Sequence, residues 1–276
     1  KEALPIYNSS KIQIDDKINN KIALSYPKDN RVVIKENAIY ADLDNITPGY
    51  QEFTFGQSTD DLYVAVGKGG SGNIMYSFDG YKWNLSPDAT SIISTRGYAV
   101  DYNGIMFCAV GQGTHTQAYS FDGISWYGSG KPLFSTKGMC IRYENGIWVT
   151  GGQDTADVLG YSFDGTNWHA GYNSSGGGNT AGIFDSTCQG IAYNGLIWVA
   201  AGTGSANTLA YSEDGIRWTG LGNSVFGAGG YVVESNGEVF LAGGSGGGNF
   251  LARSNNGINW DDYYCSNEYK SNWYCY

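Results

Sequence analysis

Apolar and polar residues along this chain group into short runs bounded by Gly, Asn and Asp, and the same order of runs recurs. One copy displays every part: RGYAVDYNG from Arg96, IMFCAVG from Ile105, the polar loop QGTHTQ from Gln112, AYSFDG from Ala118 and ISWYG from Ile124. Apolar runs of this length, closed off by turn residues, predict β-strands rather than helices. Asn103-Gly104 and Asp122-Gly123 each sit between two such runs, which predicts tight hairpins with positive φ at both central residues. Asn145-Gly146, Asn194-Gly195 and Asn236-Gly237 recur at the first of these turns. Each copy therefore reads as four antiparallel strands.

The last hairpin of each copy carries a mark. It is YSFDGYKW from Tyr76, YSFDGISW from Tyr119, YSFDGTNW from Tyr161, YSEDGIRW from Tyr211 and the looser RSNNGINW from Arg253. A four-stranded sheet cannot bury both faces alone, and radial stacking of repeated sheets solves this. The predicted fold class is an all-β β-propeller of five four-stranded antiparallel blades over residues 46–262, with the first strand of each innermost. In the first copy Asp60-Asp61 replaces the Asn-Gly turn. Residues 1–45 lack the mark but contain KIQI, KIALSY, RVVIKE and AIYADL. They read as a sixth, divergent blade or as a β-rich extension for attachment, and the missing mark favours the extension. Residues 263–276 form an aromatic, Cys-bearing tail.

Composition narrows the function. The 42 glycines and 15% aromatic content suit many tight turns between packed strands. A net charge of −10, with only 16 Lys and Arg in 276 residues, argues against nucleic acid, whose recognition needs clustered basic residues. The same acidity disfavours anionic membranes, and no apolar run nears the roughly 18 residues of a spanning helix. Five cysteines show no CxxC pair and no His partners at zinc spacing, so neither a metal nor another cofactor is expected. Cys108, Cys140 and Cys188 sit in apolar runs and read as small buried hydrophobes. Cys265 and Cys275 flank the tail and read as bridged or free. The start at Lys1, with no apolar signal segment, is compatible with a processed or partial N-terminus.

The residues that bear chemistry point to structure first. Ser77, Asp79, Trp83, Ser120, Asp122, Trp126, Ser162, Asp164, Trp168, Ser212, Asp214 and Trp218 belong to the mark. A catalytic residue is needed once, whereas a turn-building one is needed in every unit. Asp and Ser are expected to bond their own turns, with Trp packing between sheets. Carboxylates such as Asp154, Asp157 and Asp185 could serve hydrolysis only if two faced one cavity, and they read as solvated. His115 and His169 lie at non-equivalent positions and read as surface residues. No catalytic residues are assigned, so a non-enzyme is expected.

In a four-stranded blade the loop between second and third strands shares one end with the connection between blades, opposite the marked hairpins. Just before each inner strand the sequence places Arg96, Lys137, Gln189 and Gly229, which differ where the frame repeats. With Tyr98, His115 and Asp154 these are the candidate ligand contacts. The loops are rich in Gly, Ser, Thr, Asn and Gln, and Tyr98, Tyr172 and Phe250 lie near them. That surface predicts neutral, hydroxylated ligands and weak, multivalent glycan recognition, beside a rival reading as a purely structural module.

The Ser-x-Asp-Gly-x-x-Trp mark resembles the Asp-box, or BNR, hairpin of sialidases, sortilin-type receptors and photosystem assembly factors, without the residue that the longer form has between Asp and Gly. With the phrases AYSxDGIxW and xWVAxG, the chain is most similar to tandem-repeat proteins of large DNA viruses and phages, over about three quarters of its length. The resemblance implies marked hairpins on the rim away from the binding face. It also implies a virion or extracellular location, partners among other virion or surface proteins, and glycans. Oligomerisation is left open. A sialidase would need three clustered arginines, and the chain has only Arg31, Arg96, Arg142, Arg217 and Arg253, two of them in or beside the mark. The leading function is a non-enzymatic structural or binding module acting through the loop face. The alternatives are a carbohydrate-active hydrolase and an intracellular scaffold for protein partners.

Overall fold

In the computed structural model the described residues are 62–263, without 70–71, 130–131, 155, 177–179 and 247–249, together with the backbone of strands between 13 and 54. The chain divides into two compact units, Lys1–Leu62 and Tyr63–Tyr276. In the first, Gln13–Ile18, Lys21–Tyr26 and Gly49–Thr54 form a three-stranded sheet, and Arg31–Lys35 pairs with Ala38–Asp42.

The second unit is a β-propeller. Blade 2 comprises Arg96–Tyr102, Phe107–Gln112, Gln117–Ser120 and Tyr127–Gly128; blade 3 Lys137–Glu144, Ile147–Gln153, Leu159–Ser162 and His169–Ala170. Blade 4 comprises Thr187–Tyr193, Trp198–Thr203, Leu209–Ser212 and Arg217–Gly220; blade 5 Gly229–Ser235, Phe240–Ser245, Leu251–Ser254 and Asp261–Tyr263. Each is an antiparallel meander in chain order. First strands of successive blades lie beside one another, so they are the innermost. Blade 1 contributes Tyr63–Val66, Ile74–Ser77 and Asn84–Leu85. The strand that the sequence reading assigns to its inner position, Gly49–Thr54, lies instead in the first unit. There it pairs without a break along Lys21–Tyr26, from Lys21↔Thr54 to Tyr26↔Gly49.

The second strands form the core. Cys108, Val149 and Val199 are fully buried on the side facing the next blade, where Gly165, Gly215 and Gly257 of the following marked hairpins lie against them. On the opposite side Trp148, Trp198 and Phe240 are fully buried. The burial stops at the ends of the series, since Leu241 of blade 5 is 55% exposed and Tyr63 of blade 1 is 51% exposed.

Neighbouring blades interlock by complementary volumes. A Cβ added to Gly97 would lie 2.5 Å from Val66 Cβ, and one added to Gly138 would lie 2.6 Å from Val110 Cβ. At the junction of blades 3 and 4 the sizes are exchanged. Cys188 occupies the position of Gly97 and Gly138, and Gly151 that of Val66 and Val110; a Cβ on Gly151 would lie 2.5 Å from Cys188 Sγ. Every such pair needs one glycine because the interior is already at crystal-like density. Cys108, Cys140 and Cys188 are free and buried, as expected from their apolar runs. Burial pushes the Cys188 thiol well up, and its Sγ lies 3.9 Å from Cys140 Sγ. Cys265 and Cys275 lie outside the described residues.

The turns use glycine with an Asn side chain. Only Asn145 combines positive φ (52°) with its following Gly146 (78°). At Asn103, Asn194 and Asn236 only the glycine is left-handed, and the Asn Oδ1 instead accepts the N–H groups two and three residues on. The two-positive-φ expectation thus holds at one of these four turns. Elsewhere the side-chain amide closes the turn and relieves the Asn backbone of that strain.

Candidate functional site

The marked hairpins consume their own functional groups. Ser120 Oγ accepts the Gly123 N–H at 2.8 Å and donates to Asp122 Oδ1 at 2.9 Å, while that oxygen also accepts the Ile124 and Ser125 N–H groups. Ser77–Asp79, Ser162–Asp164 and Ser212–Asp214 repeat the pattern. At the fifth hairpin Asn256 replaces Asp, and its Oδ1 still accepts the Ile258 and Asn259 N–H groups. An amide oxygen therefore suffices, so the mark requires an acceptor and no charge.

Electrostatics agree with that role. Burial pushes the carboxyls of Asp122, Asp164 and Asp214 up, but the turn N–H groups and the Ser hydroxyl outweigh it and hold all three below the ordinary range. The Asp79 carboxyl is lowered by the Lys82 and Tyr81 N–H groups. Trp126 and Trp218 are 2% and 0% exposed, and the Trp126 indole N–H donates to Gly123 O; Trp83 is 39% exposed. Near this end of the first strands Arg142 of blade 3 donates to Glu234 of blade 5 at 2.8 Å. The equivalent position of blade 4 is Ala192.

The other end of the blades differs from copy to copy. The register aligns Arg96, Lys137, Thr187 and Gly229, each opposite the end of its second strand. The sequence reading put Gln189 in this row, and the structure corrects it. A bulge follows in each of blades 2 to 5, and the bulged residues are Tyr98, Met139, Gln189 and Tyr231. Gln189 is thus the counterpart of Tyr98. The slip arises because Gly190 resembles Gly97 in sequence, whereas Cys188 holds Gly97's place in the volume exchange.

Three candidate residues meet at this mouth. The Arg96 guanidinium lies 4.8 Å from the centre of the Tyr98 ring, and Lys137 Nζ, from the neighbouring blade, lies 5.4 Å from the same ring. At the same end of blades 4 and 5 the Gln189 side-chain amide donates to Thr203 Oγ1 at 3.2 Å, and the Tyr231 hydroxyl bonds Ser245 Oγ at 2.7 Å. Thr203, Tyr231 and Ser245 were missed by sequence reasoning. Their signal is the bulge, one extra residue in each first strand, which puts Tyr231 in the place of Tyr98 and Gln189, while Thr203 and Ser245 end the second strands opposite Thr187 and Gly229.

The remaining candidates stand elsewhere. The His115 ring covers Gly128, and Asn207 covers Gly220 at the equivalent place in blade 4, so this position is a spacer. Asp154 Oδ2 accepts from the Ser135 N–H at 2.6 Å and from its hydroxyl, while Oδ1 accepts the Ala156 N–H. It fastens the loop between the second and third strands of blade 3. Asp185 does the same for Ser205 in blade 4, and the Ser205 hydroxyl and N–H lower its carboxyl. Tyr172 lies on Tyr172–Asn173, which runs parallel to Arg217–Gly220 along the outer edge of blade 4. Its ring is therefore not part of the mouth.

These features define a β-propeller with a repeated hairpin end and a varied loop end. No family model and no curated protein matches the sequence. Among solved structures, YCF48 from Cyanidioschyzon merolae is 15% identical, with 75% of this chain and 69% of that chain covered at a TM-score of 0.50. YCF48 bound to D1 peptide is 18% identical over 72% of this chain and 62% of that one, at 0.47. A nidogen/laminin complex is 10% identical over 86% of each chain, at 0.49. The first of these likenesses supports the propeller fold alone.

Proposed function

We propose that this chain is a non-catalytic binding module that receives its ligand at the loop-end mouth of the first strands. The observation that carries this reading is the meeting of Arg96, Tyr98 and Lys137, from two blades, at the end where the repeat varies. Groups needed once in the molecule are found there. The Ser and Asp groups of the hairpin end are already engaged in their turns, which removes the most abundant candidates for acid–base chemistry. A protein ligand suits the mouth better than a neutral glycan, since cations stand over the ring that a sugar would stack on. We further propose a virion or extracellular setting, a reading that rests on the resemblance of the phrases AYSxDGIxW and xWVAxG to viral tandem repeats.

The test is peptide selection from a random display library on the full chain, followed by mapping. Binders that lose at least about tenfold in affinity on Tyr98→Ala or Gln189→Ala, and none on Phe121→Ser or Phe163→Ser, are expected. Binders with the opposite dependence would overturn the reading, as would turnover of an aryl glycoside panel. A glycan array that binds at the mouth, with no peptide selected, would replace the protein ligand by a sugar.

A further inference from the structure

The mouth divides into two halves of different chemistry. On the side of blades 2 and 3 are two cations, the half-buried Lys137 and the exposed Arg96, both on the Tyr98 ring. On the side of blades 4 and 5 the groups are neutral, with the Gln189 amide on Thr203 and the Tyr231 hydroxyl on Ser245. Among the described residues, Arg142 and Arg217 each have a carboxylate partner, at Glu234 and Asp214. Neither Arg96 nor Lys137 forms an ion pair with a described carboxylate. The nearest acidic residue in the sheet register follows Gln153, the partner of Lys137; this is Asp154, and its carboxylate is engaged by Ser135 and the Ala156 N–H.

Two like charges sharing one ring repel each other, and the ring quadrupole offsets only part of that repulsion. An anion placed between them would gain from both. The chain as a whole carries −10, which repels polyanions such as nucleic acid or heavily sulfated glycans at long range. A single carboxylate in an otherwise neutral segment avoids that repulsion, and it matches the bidentate geometry of a guanidinium. The neutral half then supplies donors and acceptors of the kind that pair with peptide amides.

From this juxtaposition we infer that the mouth is a carboxylate-binding site for an acidic peptide segment of a partner protein, with Arg96 and Lys137 holding an Asp, Glu or C-terminal carboxylate and Gln189, Thr203 and Tyr231 facing the peptide beside it. This rests on the binding reading above. It adds the ligand's charge and class.

The experiment uses the peptides selected on the full chain from the random display library. Their consensus is expected to contain Asp, Glu or a free C-terminal carboxylate. Binding, followed by fluorescence anisotropy, is expected to weaken at least about tenfold in Arg96→Gln/Lys137→Gln and to weaken with added salt, while Phe163→Ser, on an exposed hairpin away from the mouth, binds as the parent does. Unchanged melting of the double variant excludes misfolding. Mouth-dependent binders with a neutral or basic consensus, or full affinity in the double variant, would overturn the carboxylate assignment and leave the binding reading standing. Binders that depend on Phe121 and Phe163 would overturn both. Mouth-dependent capture of sialylated or sulfated glycans, with no acidic peptide selected, would overturn the peptide class.

Discussion

At the hairpin end of the blades five turns share one hydrogen-bond pattern down to individual atoms, from Ser77–Asp79 to Ser254–Asn256. At the loop end the row that opens the first strands holds Arg96, Lys137, Thr187 and Gly229, and the bulges hold Tyr98, Met139, Gln189 and Tyr231. Both ends are equally accessible to the sequence, yet one is held constant and the other is not. The difference separates two kinds of physical demand. A turn must close its N–H groups in every blade, because an unpaired group in a sheet connection costs as much as a lost hydrogen bond. A ligand meets the molecule once, so the groups that meet it need not repeat.

Stability measurements can break this contrast at its strongest point. Trp218→Ala, which empties a fully buried site, is expected to cost about 3–5 kcal/mol in urea unfolding, against about 1 kcal/mol or less for Trp83→Ala at the 39% exposed copy. Equal costs would show that the copies are not distinguished by burial. Gly202→Ala is next, at about 1–3 kcal/mol, because its Cβ would meet the Phe184 ring and the Thr187 carbonyl. The mark itself comes third. Asp122→Ala, which leaves two turn N–H groups without their acceptor, is expected to cost about 1 kcal/mol after allowance for solvent, and Asp122→Asn less than half as much, since Asn256 already serves the fifth turn. A loss in Asn as large as in Ala would return a role to the charge.

A pH series sharpens the same point. The carboxyls of Asp79, Asp122, Asp164 and Asp214 are lowered in the folded chain, so the unfolded chain takes up protons first as pH falls. Their contribution is complete above the unfolded carboxylate range near pH 4 and declines below it. The urea midpoint should therefore hold from neutral pH to about pH 5 and fall from about pH 4 downward. In Asp122→Asn that fall should be shallower, and an acid-insensitive parent would contradict the pattern. The smallest expected change in stability is at the loop end, where Arg96→Gln and Lys137→Gln should stay within about 0.5 kcal/mol of the parent.

Much of the architecture was legible because it is repeated. Five copies of one hairpin, apolar runs of strand length and Asn-Gly turns led to sheets, their order and the free buried Cys108, Cys140 and Cys188. What was not legible depends on partners that sequence does not name. GYQEFT reads as an inner strand by analogy with GYAVDY, but a strand carries no label for the edge it joins, and Gly49–Thr54 pairs with Lys21–Tyr26. The row containing Gln189 slipped by two residues because a glycine can sit on either side of an inter-blade contact. Gly151 opposite Cys188 exchanges the sizes found in Val110 opposite Gly138. Arg96, Tyr98 and Lys137 could be named from their places in the repeat, whereas the sharing of one ring emerged only from the packing of adjacent blades.

The division between a structural end and a binding end is tested most directly by hydrogen exchange of the full chain with and without a peptide selected on it. Protection on binding is expected at the starts of the first strands, around residues 96–98, 137–139, 187–189 and 229–231, with the marked hairpins unchanged. Protection confined to the hairpins at 77–83, 120–126, 162–168 and 212–218 would contradict it.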